Sequence, residues 1–387
     1  MNGATEEEWF GDFSAITVEL QNNPLRAFCL WNVQEGGSVS TFPSRNLAPA
    51  SNVRDDDSRS ARALQLKSVP VQSASDLPSP IAAPADAGAP GDRPLPMRNG
   101  VGPSVVGLPA GPWPTMLDFL CERFPRIARD TWCERMQAGD VVDDLARPIA
   151  VDAPYQGHQR LYYYRAIAQE PRIPFDELLL FQDAHLVVAD KPHFLPVTPT
   201  GKYLQESLLV RLRRKLGIDT LAPIHRIDRG TAGLVLFCVQ PADRAAYQKL
   251  FAERGVRKNY EAIVHWPAGM QLPAARRSRL VQDTSFLRTA EADGEPNSET
   301  FFELIERLGD DRARLSLSPV TGRKHQLRVH CNALGMPIVN DPIYPELLPA
   351  EREDHAQPLQ LLAKRLAFTD PCNGEERSFA STLRLAD

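Results

Sequence analysis

Thirteen of the chain's 34 prolines fall between Thr41 and Pro114, among Ser, Ala and Gly, and no other feature restricts the fold as much. Each proline removes a backbone donor and fixes φ, so neither a helical ladder nor a central strand tolerates that density. No apolar period of 3.6 or 2 persists there, so the segment buries too little surface to offset its ordering entropy. Residues 1–112 are therefore predicted to be a disordered, Pro-rich N-terminal extension, which leaves the packed cores of the 387-residue chain to residues 113–387. Trp9 to Val33, ahead of the prolines, carries aromatic and aliphatic residues without an assignable role.

The remaining composition excludes several classes. With 43% hydrophobic and 24% charged residues the chain reads as globular. Six cysteines (Cys29, Cys121, Cys133, Cys238, Cys331, Cys372) are scattered without a C-x-x-C pair or zinc spacing, which suggests reduced thiols in the cytoplasm and no metal. Apolar runs such as Leu234 to Val239 fall far short of the roughly 20 residues of a membrane helix, and Glu6 to Glu8 stand where a secretory signal is basic. No membrane partner is expected. The net charge of −5 opposes a histone-like DNA binder, but residues 185–345 carry 23 Lys and Arg against 17 Asp and Glu, a local +6.

Helical spacing of Leu117, Leu120, Cys121 and Phe124 behind the candidate cap Thr115 predicts one helix, and Ala128 to Ala138, ended by Gly139, a second. Leu117, Asp118, Phe119, Leu120, Arg129, Gly139 and Val141 follow the pattern L-D-x-F-L…R…G-x-V. Residues 113–170 thus resemble the small RNA-binding domain named after small-subunit ribosomal protein four. Asp143 and Asp144 depart from that family's basic or Asn-Gly turn. A helical hairpin that only packs on the next unit is the alternative.

From Ile173 onward apolar runs of strand length alternate irregularly with helical stretches. Leu178 to Phe181, Leu186 to Ala189, Gly233 to Val239, Tyr260 to Val264, Glu299 to Ile305 and Ala313 to Leu317 read as strands; Leu204 to Leu216, Ala242 to Arg254 and Arg323 to Leu334 read as helices. The order predicts an α+β unit over 173–387 rather than a βαβ repeat.

Four segments there carry chemistry. In His225-Arg226-Ile227-Asp228-Arg229-Gly230-Thr231-Ala232-Gly233, a carboxylate between arginines sits in a positive field that favours its ionised form, suited to a nucleophile or base. Read alone, such a group is more often a surface ion pair. Asp190-Lys191-Pro192 ends a strand at a forced turn. Arg257-Lys258-Asn259-Tyr260 places two cations before a strand tyrosine, which could stack on a base or simply pack. In Thr321-Gly322-Arg323-Lys324-His325-Gln326-Leu327-Arg328-Val329-His330, Thr321 can cap a helix, and Lys324 and Arg328, four apart, call for an anion.

Together and in this order the segments resemble the RluA-type pseudouridine synthase family, with its strand ending K-P, H-R-[LI]-D-x-x-T-[SA]-G-L, K-x-Y and T-G-R-x-H-Q-[IL]-R-V-H, then G-x-P-I, D and Y, matched here by Gly335, Pro337, Ile338, Asp341 and Tyr344. The resemblance implies a central mixed, mostly antiparallel sheet flanked by helices. It also implies an isomerase without cofactor that breaks the glycosidic bond of a uridine in RNA, rotates the uracil and rejoins it through ring carbon five. By the same resemblance Asp228 acts on the sugar, as nucleophile at the anomeric carbon or base at its neighbour. Arg328 pairs with Asp228, Tyr260 packs on the uracil and is placed for proton transfer, and Arg226 fills the stack left by the flipped nucleotide. His225, Arg229, Lys191, Lys258, Arg323, Lys324, His325 and Val329 complete the expected RNA-binding set, with Val329 or a near neighbour in apolar contact with the ring. Ala232 for Ser, Asn340 before Asp341, and His193-Phe194 after Lys-Pro depart from the pattern without removing a catalytic group. The expectation is a monomeric synthase for structured RNA, foremost large-subunit rRNA. The alternatives are a tRNA or dual rRNA/tRNA synthase, a non-catalytic RNA-binding factor, and a nucleoside hydrolase.

Overall fold

The structure, a computed structural model, describes residues 94–386 except 166, 168, 286 and 350–353. The expectation of disorder over 1–93 lies outside the described residues.

The small unit holds β1 (Ser104–Gly107), α1 (Met116–Arg123), α2 (Arg129–Gln137), β2 (Val141–Val142) and β3 (Arg160–Tyr163). Its antiparallel sheet runs β1-β3-β2. Thr115 caps α1 as expected, its hydroxyl accepting the Asp118 amide at 3.1 Å. Gly139, at φ +72, ends the second helix in the left-handed conformation. Leu120, Trp132, Val141 and Leu161 are fully buried, and Trp132 meets Phe124 and Tyr163 ring to ring. One boundary needs correction. Ser104–Gly107 lies inside the residues assigned to the extension, yet it pairs with β3 along its whole length. Four residues between Pro103 and Pro109 are too short to show a period, and their partner lies more than 50 positions away. Asp143 and Asp144 are engaged internally: Asp143 accepts the Leu145 and Arg147 amides at 2.9 Å, and Asp144 pairs with Arg160 at 2.8 Å.

The large unit contains β4 (Leu178–Gln182), β5 (Leu186–Lys191), α3 (Leu208–Leu216), β6 (Ala222–Pro223), β7 (Ala232–Cys238), α4 (Arg244–Ala252), β8 (Arg257–His265), β9 (Ala275–Gln282) and β10 (Thr289–Ala292). It continues with β11 (Ser298–Leu308), β12 (Arg312–Pro319), α5 (Gln326–Ala333), β13 (Leu361–Thr369) and β14 (Glu376–Ala380). The sheet order is β10-β9-β11-β12-β8-β13-β7-β5-β4, with β14 beside β13 and β6 beside β7. Only β13 and β7 run parallel among the described pairs, so the α+β architecture with a mixed, mostly antiparallel sheet is the one expected.

Alternation of side chains across β5 and β7 explains why helices cover both faces. Val187, Val235 and Phe237 pack under α3, whereas Leu186, Val188, Leu234 and Leu236 pack with Tyr247 of α4. In the other half Leu327 and Cys331 of α5 bury against Val264, Leu315 and Leu317. Leu334 joins them from the end of the helix.

Two helices start later than their patterns. The Glu170 carboxylate accepts the Leu204, Gln205 and Glu206 amides at 2.6 to 2.9 Å and holds that stretch as a turn. His325, at φ +55, breaks the helical path ahead of Gln326. Thr321 is therefore no cap; its hydroxyl donates to Gln326 Oε1 at 2.7 Å and accepts the Glu299 amide at 3.0 Å. Lys324 precedes the helix and so shares no helical face with Arg328, although Arg328 still disfavours its charge.

Gly233, at φ +109, permits the parallel approach of β7 to β13. A Cβ there would lie 2.3 Å from the Ala363 carbonyl oxygen. Gly233→Ala is expected to lower stability by at least about 2 kcal/mol. The measurement is the urea midpoint; a midpoint equal to that of the wild type would contradict the close approach.

Candidate active site

Asp228 lies in the loop between β6 and β7, its carbonyl accepting the Thr231 amide at 3.1 Å. The loop is fastened to the end of β5 by Lys191. That ammonium is fully buried and donates to the carbonyls of Pro192 at 3.0 Å, Leu195 at 2.7 Å and Arg229 at 3.1 Å. All three donors are thereby used, so Lys191 is not the RNA contact the sequence suggested. The Lys-Pro pair holds the loop instead.

His225 also turns inward. Its Nε2 accepts the Leu236 amide at 3.1 Å, and its ring stacks on Phe251 at 4.9 Å. Burial first, then Lys258, pushes its pKa down to about 3, so it is a neutral structural group rather than an RNA ligand. Val329 packs against Leu280 and Tyr344 in the interior. Arg229 lies over Tyr203 at 5.0 Å and Phe194 at 6.0 Å and donates to the Tyr203 hydroxyl at 3.2 Å. These four residues were read into the RNA-binding set from motif position, which says nothing of the direction a side chain takes.

The remaining residues converge on an open cleft of about 510 Å³. Asp228, Tyr260, Arg328, Arg226, Lys258, Arg323 and His325 all line it. Lys324, which comes after Arg323, is exposed at the surface, yet desolvation holds its pKa below the ordinary value against the attraction of Asp228. The apolar surface assigned to Val329 comes from Ile227, Leu327 and Leu361.

Arg328 organises the centre. Its Nη1 donates to Asp228 Oδ2 at 3.2 Å, while Nε and Nη2 form a fork on Asp341 at 2.8 and 2.6 Å. Asp341 has a fully buried side chain and also accepts the Ile343 and Tyr344 amides at 2.8 and 3.1 Å. Its partner Tyr344 donates its hydroxyl proton to the Thr289 carbonyl at 2.9 Å. His325 Nδ1 lies 3.1 Å from that hydroxyl and its Nε2 3.9 Å from Asp228, so the ring stands between Tyr344 and Asp228. Asp341 and Tyr344 appear in the family pattern, but neither received a role in the sequence reading. The signal was an acid three positions before a tyrosine.

The electrostatics set the protonation states. Burial raises the Asp228 pKa, but neighbouring His325, Arg328 and Arg226 outweigh it and the net shift is downward. Burial itself pushes His325 down to about 4, so at neutral pH the arginines supply the positive field and Asp228 is ionised. Burial and then Asp228 push the Tyr260 phenol well above its ordinary value, so it keeps its proton. Burial and then Arg254 bring Lys258 down to about 8.

Far from the cleft, His185, Asp243 and Cys372 bring one ligand atom each within 4.8 Å, a grouping invisible in the sequence spacing. His185 and Asp243 already share a hydrogen bond at 2.7 Å.

Removing Asp341 would strand a buried guanidinium with Asp228 as its remaining carboxylate. Asp341→Ala is expected to cost about 3 kcal/mol of stability and to slow turnover at a temperature where the variant is folded. Urea denaturation paired with an assay of pseudouridine formation in RNA checks this; unchanged stability would show that the fork does not hold Arg328.

Comparison with known proteins gives the family. The RNA pseudouridylate synthase family matches residues 185–333. An uncharacterized RNA pseudouridine synthase of Synechocystis is 29% identical over 232 residues, covering 59% of this chain and 79% of that protein. The dual-specificity RNA pseudouridine synthase RluA of Haemophilus influenzae is 32% identical over 209 residues, covering 52% of this chain and 90% of that protein. Among solved structures, human RNA pseudouridylate synthase domain containing 1 aligns at 23% identity with a TM-score of 0.45, covering 55% of this chain and 86% of that chain. The chain belongs to the RluA-type pseudouridine synthase family and is an isomerase that makes pseudouridine in RNA.

Proposed function

We propose that Asp228 is the carboxylate that acts on the sugar of a uridine in structured RNA, foremost large-subunit rRNA. The carrying observation is its state: ionised, 30% exposed at the cleft, and fixed by a guanidinium that Asp341 holds from behind. An ionised carboxylate facing the sugar is what cleavage of a glycosidic bond requires, whether it attacks the anomeric carbon or takes a proton from its neighbour. The uracil lies against Tyr260, Ile227, Leu327 and Leu361, an apolar wall that keeps the detached ring in place while it turns. Carbon five then bonds to the anomeric carbon and loses its proton. A phenol as hard to ionise as Tyr260 can receive that proton only while releasing its own, so its first task is to hold the ring.

Arg226, exposed at the lip, is placed to occupy the stack of the extruded nucleotide, which offsets an unstacking cost of a few kcal/mol. Lys258, Arg323, Lys324 and His325 contact the strand beside it. The unit containing β1 to β3 is the additional RNA-binding domain. A second reading, in which the enzyme takes both rRNA and tRNA, is favoured by relatives named dual-specificity RNA pseudouridine synthases.

Asp228→Asn is expected to lower the single-turnover rate by about 10⁴-fold while RNA affinity stays within about threefold. In cells carrying that variant, a pseudouridine map of rRNA and tRNA should lose the enzyme's sites and so name its substrate. Retained turnover would end the assignment of Asp228.

The Lys258 ammonium, present below about pH 8, donates to the Thr321 carbonyl at 3.1 Å and faces the strand. RNA affinity should therefore fall as pH rises through about 8, and Lys258→Arg, charged throughout, should flatten that fall. Binding isotherms by fluorescence anisotropy on both sides of that pH decide it: identical pH profiles would exclude Lys258 as a contact.

A further inference from the structure

At the end of the large sheet away from the Asp228 cleft, three turns meet. One joins β4 to β5 and carries His185, one follows β7 and carries Asp243 just ahead of α4, and one joins β13 to β14 and carries Cys372. β5 and β7 are antiparallel, so Lys191 and Gly233, which fix the catalytic loop, stand at the opposite ends of these strands.

A ring nitrogen of His185, a carboxylate oxygen of Asp243 and the sulfur of Cys372 all lie within 4.8 Å of one another. In a tetrahedral zinc site such atoms stand roughly 3.3 to 3.7 Å apart, so side-chain movements of about an ångström would seat an ion between them. The backbones that carry two of these groups are already held. Asp183 Oδ1 accepts the His185 and Leu186 amides at 2.8 and 2.7 Å, and Asp370 Oδ1 accepts the Cys372 amide and the Tyr247 hydroxyl, both at 3.0 Å. Arg377 then joins the two aspartates, 3.1 Å from Asp183 and 3.3 Å from Asp370. Asp183 and Asp370 are thereby engaged around the rim, and Asp243 is the carboxylate that faces the centre.

Taken alone, the hydrogen bond at 2.7 Å between His185 and Asp243 would be a partly exposed ion pair. The sulfur changes the chemistry. Burial raises the Cys372 pKa most, the Tyr247 hydroxyl opposes the rise, and Asp243 adds to it. A dication seated between the three groups reverses that sign, because it draws the thiol proton off to solvent and binds the thiolate. Imidazole and thiolate select a zinc-type ion, whereas magnesium and calcium take oxygen ligands. His185 is 44% exposed and Asp243 20%, so the ion can enter from solvent and keep a water in its fourth position. Cys238, at the end of β7, gives its thiol to the Gln240 carbonyl at 3.0 Å and stays outside the set.

We propose that His185, Asp243 and Cys372 form a structural site for a zinc-type divalent ion, which ties three turns together at the end of the sheet opposite the reaction cleft. The sequence reading found no metal-ligand spacing because 58 positions separate His185 from Asp243, and Cys372 lies farther still along the chain.

The test uses the full chain, stripped with a chelator and titrated with Co2+ as an optical probe and then with Zn2+. One Co2+ per chain should bind and give the thiolate-to-metal charge-transfer absorption. Cys372→Ser should abolish that band, and Cys238→Ala should keep it. His185→Gln should weaken Zn2+ at least about 100-fold in competition with a chromophoric chelator. Saturating Zn2+ should raise the wild-type Tm by about 5 °C and leave that of Cys372→Ser unmoved. If Cys372→Ser fails to fold, His185→Gln, altered at an exposed side chain, decides the matter by its Zn2+ affinity. A wild-type protein without the band, a band that survives Cys372→Ser or vanishes in Cys238→Ala, or a Zn2+ affinity unchanged in His185→Gln would overturn the proposal. So would a Tm raised by Mg2+ as much as by Zn2+, which would mark a site of oxygen ligands instead.

Discussion

The site depends on one guanidinium between two carboxylates. Arg328 is almost completely buried, and a charge so placed persists only when its hydrogen bonds are met. Asp341, equally buried, meets two of them from the side away from the cleft and is itself met by two backbone amides. The third donor is thereby aimed at Asp228, which retains access to the cleft. The arrangement makes Asp228 an anion at neutral pH with a fixed orientation, and it does so without neutralising it fully. A carboxylate paired on both oxygens would be a poor partner for a sugar. One paired on a single oxygen still has the other to offer.

Two buried devices then set where that carboxylate stands. Lys191 binds the turn after β5 to the Arg229 carbonyl, next in the chain to Asp228. Gly233 lets β7 come close enough to β13 for parallel pairing, so the loop entering β7 has little freedom. Because β13 also pairs with β8, the strand of Tyr260 is placed in the same operation. Sheet order, more than local sequence, brings Asp228, Tyr260 and Arg328 to one cleft across 100 residues of chain.

The core strands and helices of the large unit were legible because their apolar residues repeat at 2 or 3.6. The elements that escaped notice lacked that signal. β9 carries Arg276, Arg277 and Arg279, charges tolerated on a strand because Glu291 and Glu299 pair with two of them across the sheet. β13 reads Leu-Leu-Ala-Lys-Arg-Leu-Ala-Phe, whose spacing suits a helix as well as a strand, and pairing with β8 and β7 decides it. β1 is too short for any period. In the site, motif order already singled out Asp228, Tyr260 and Arg328, which line one cleft, while the side chains of Lys191, His225 and Val329 turn into the interior.

By itself the sequence determined the family, the α+β class and the local excess of positive charge, because each is written in residue type and order. Tertiary structure decided which motif residues face the cleft, which carboxylate holds Arg328 from behind, and where Arg254 lies relative to Lys258. The physical reason is that burial and pairing fix a side chain's protonation and direction, and both are properties of neighbours brought from distant parts of the chain.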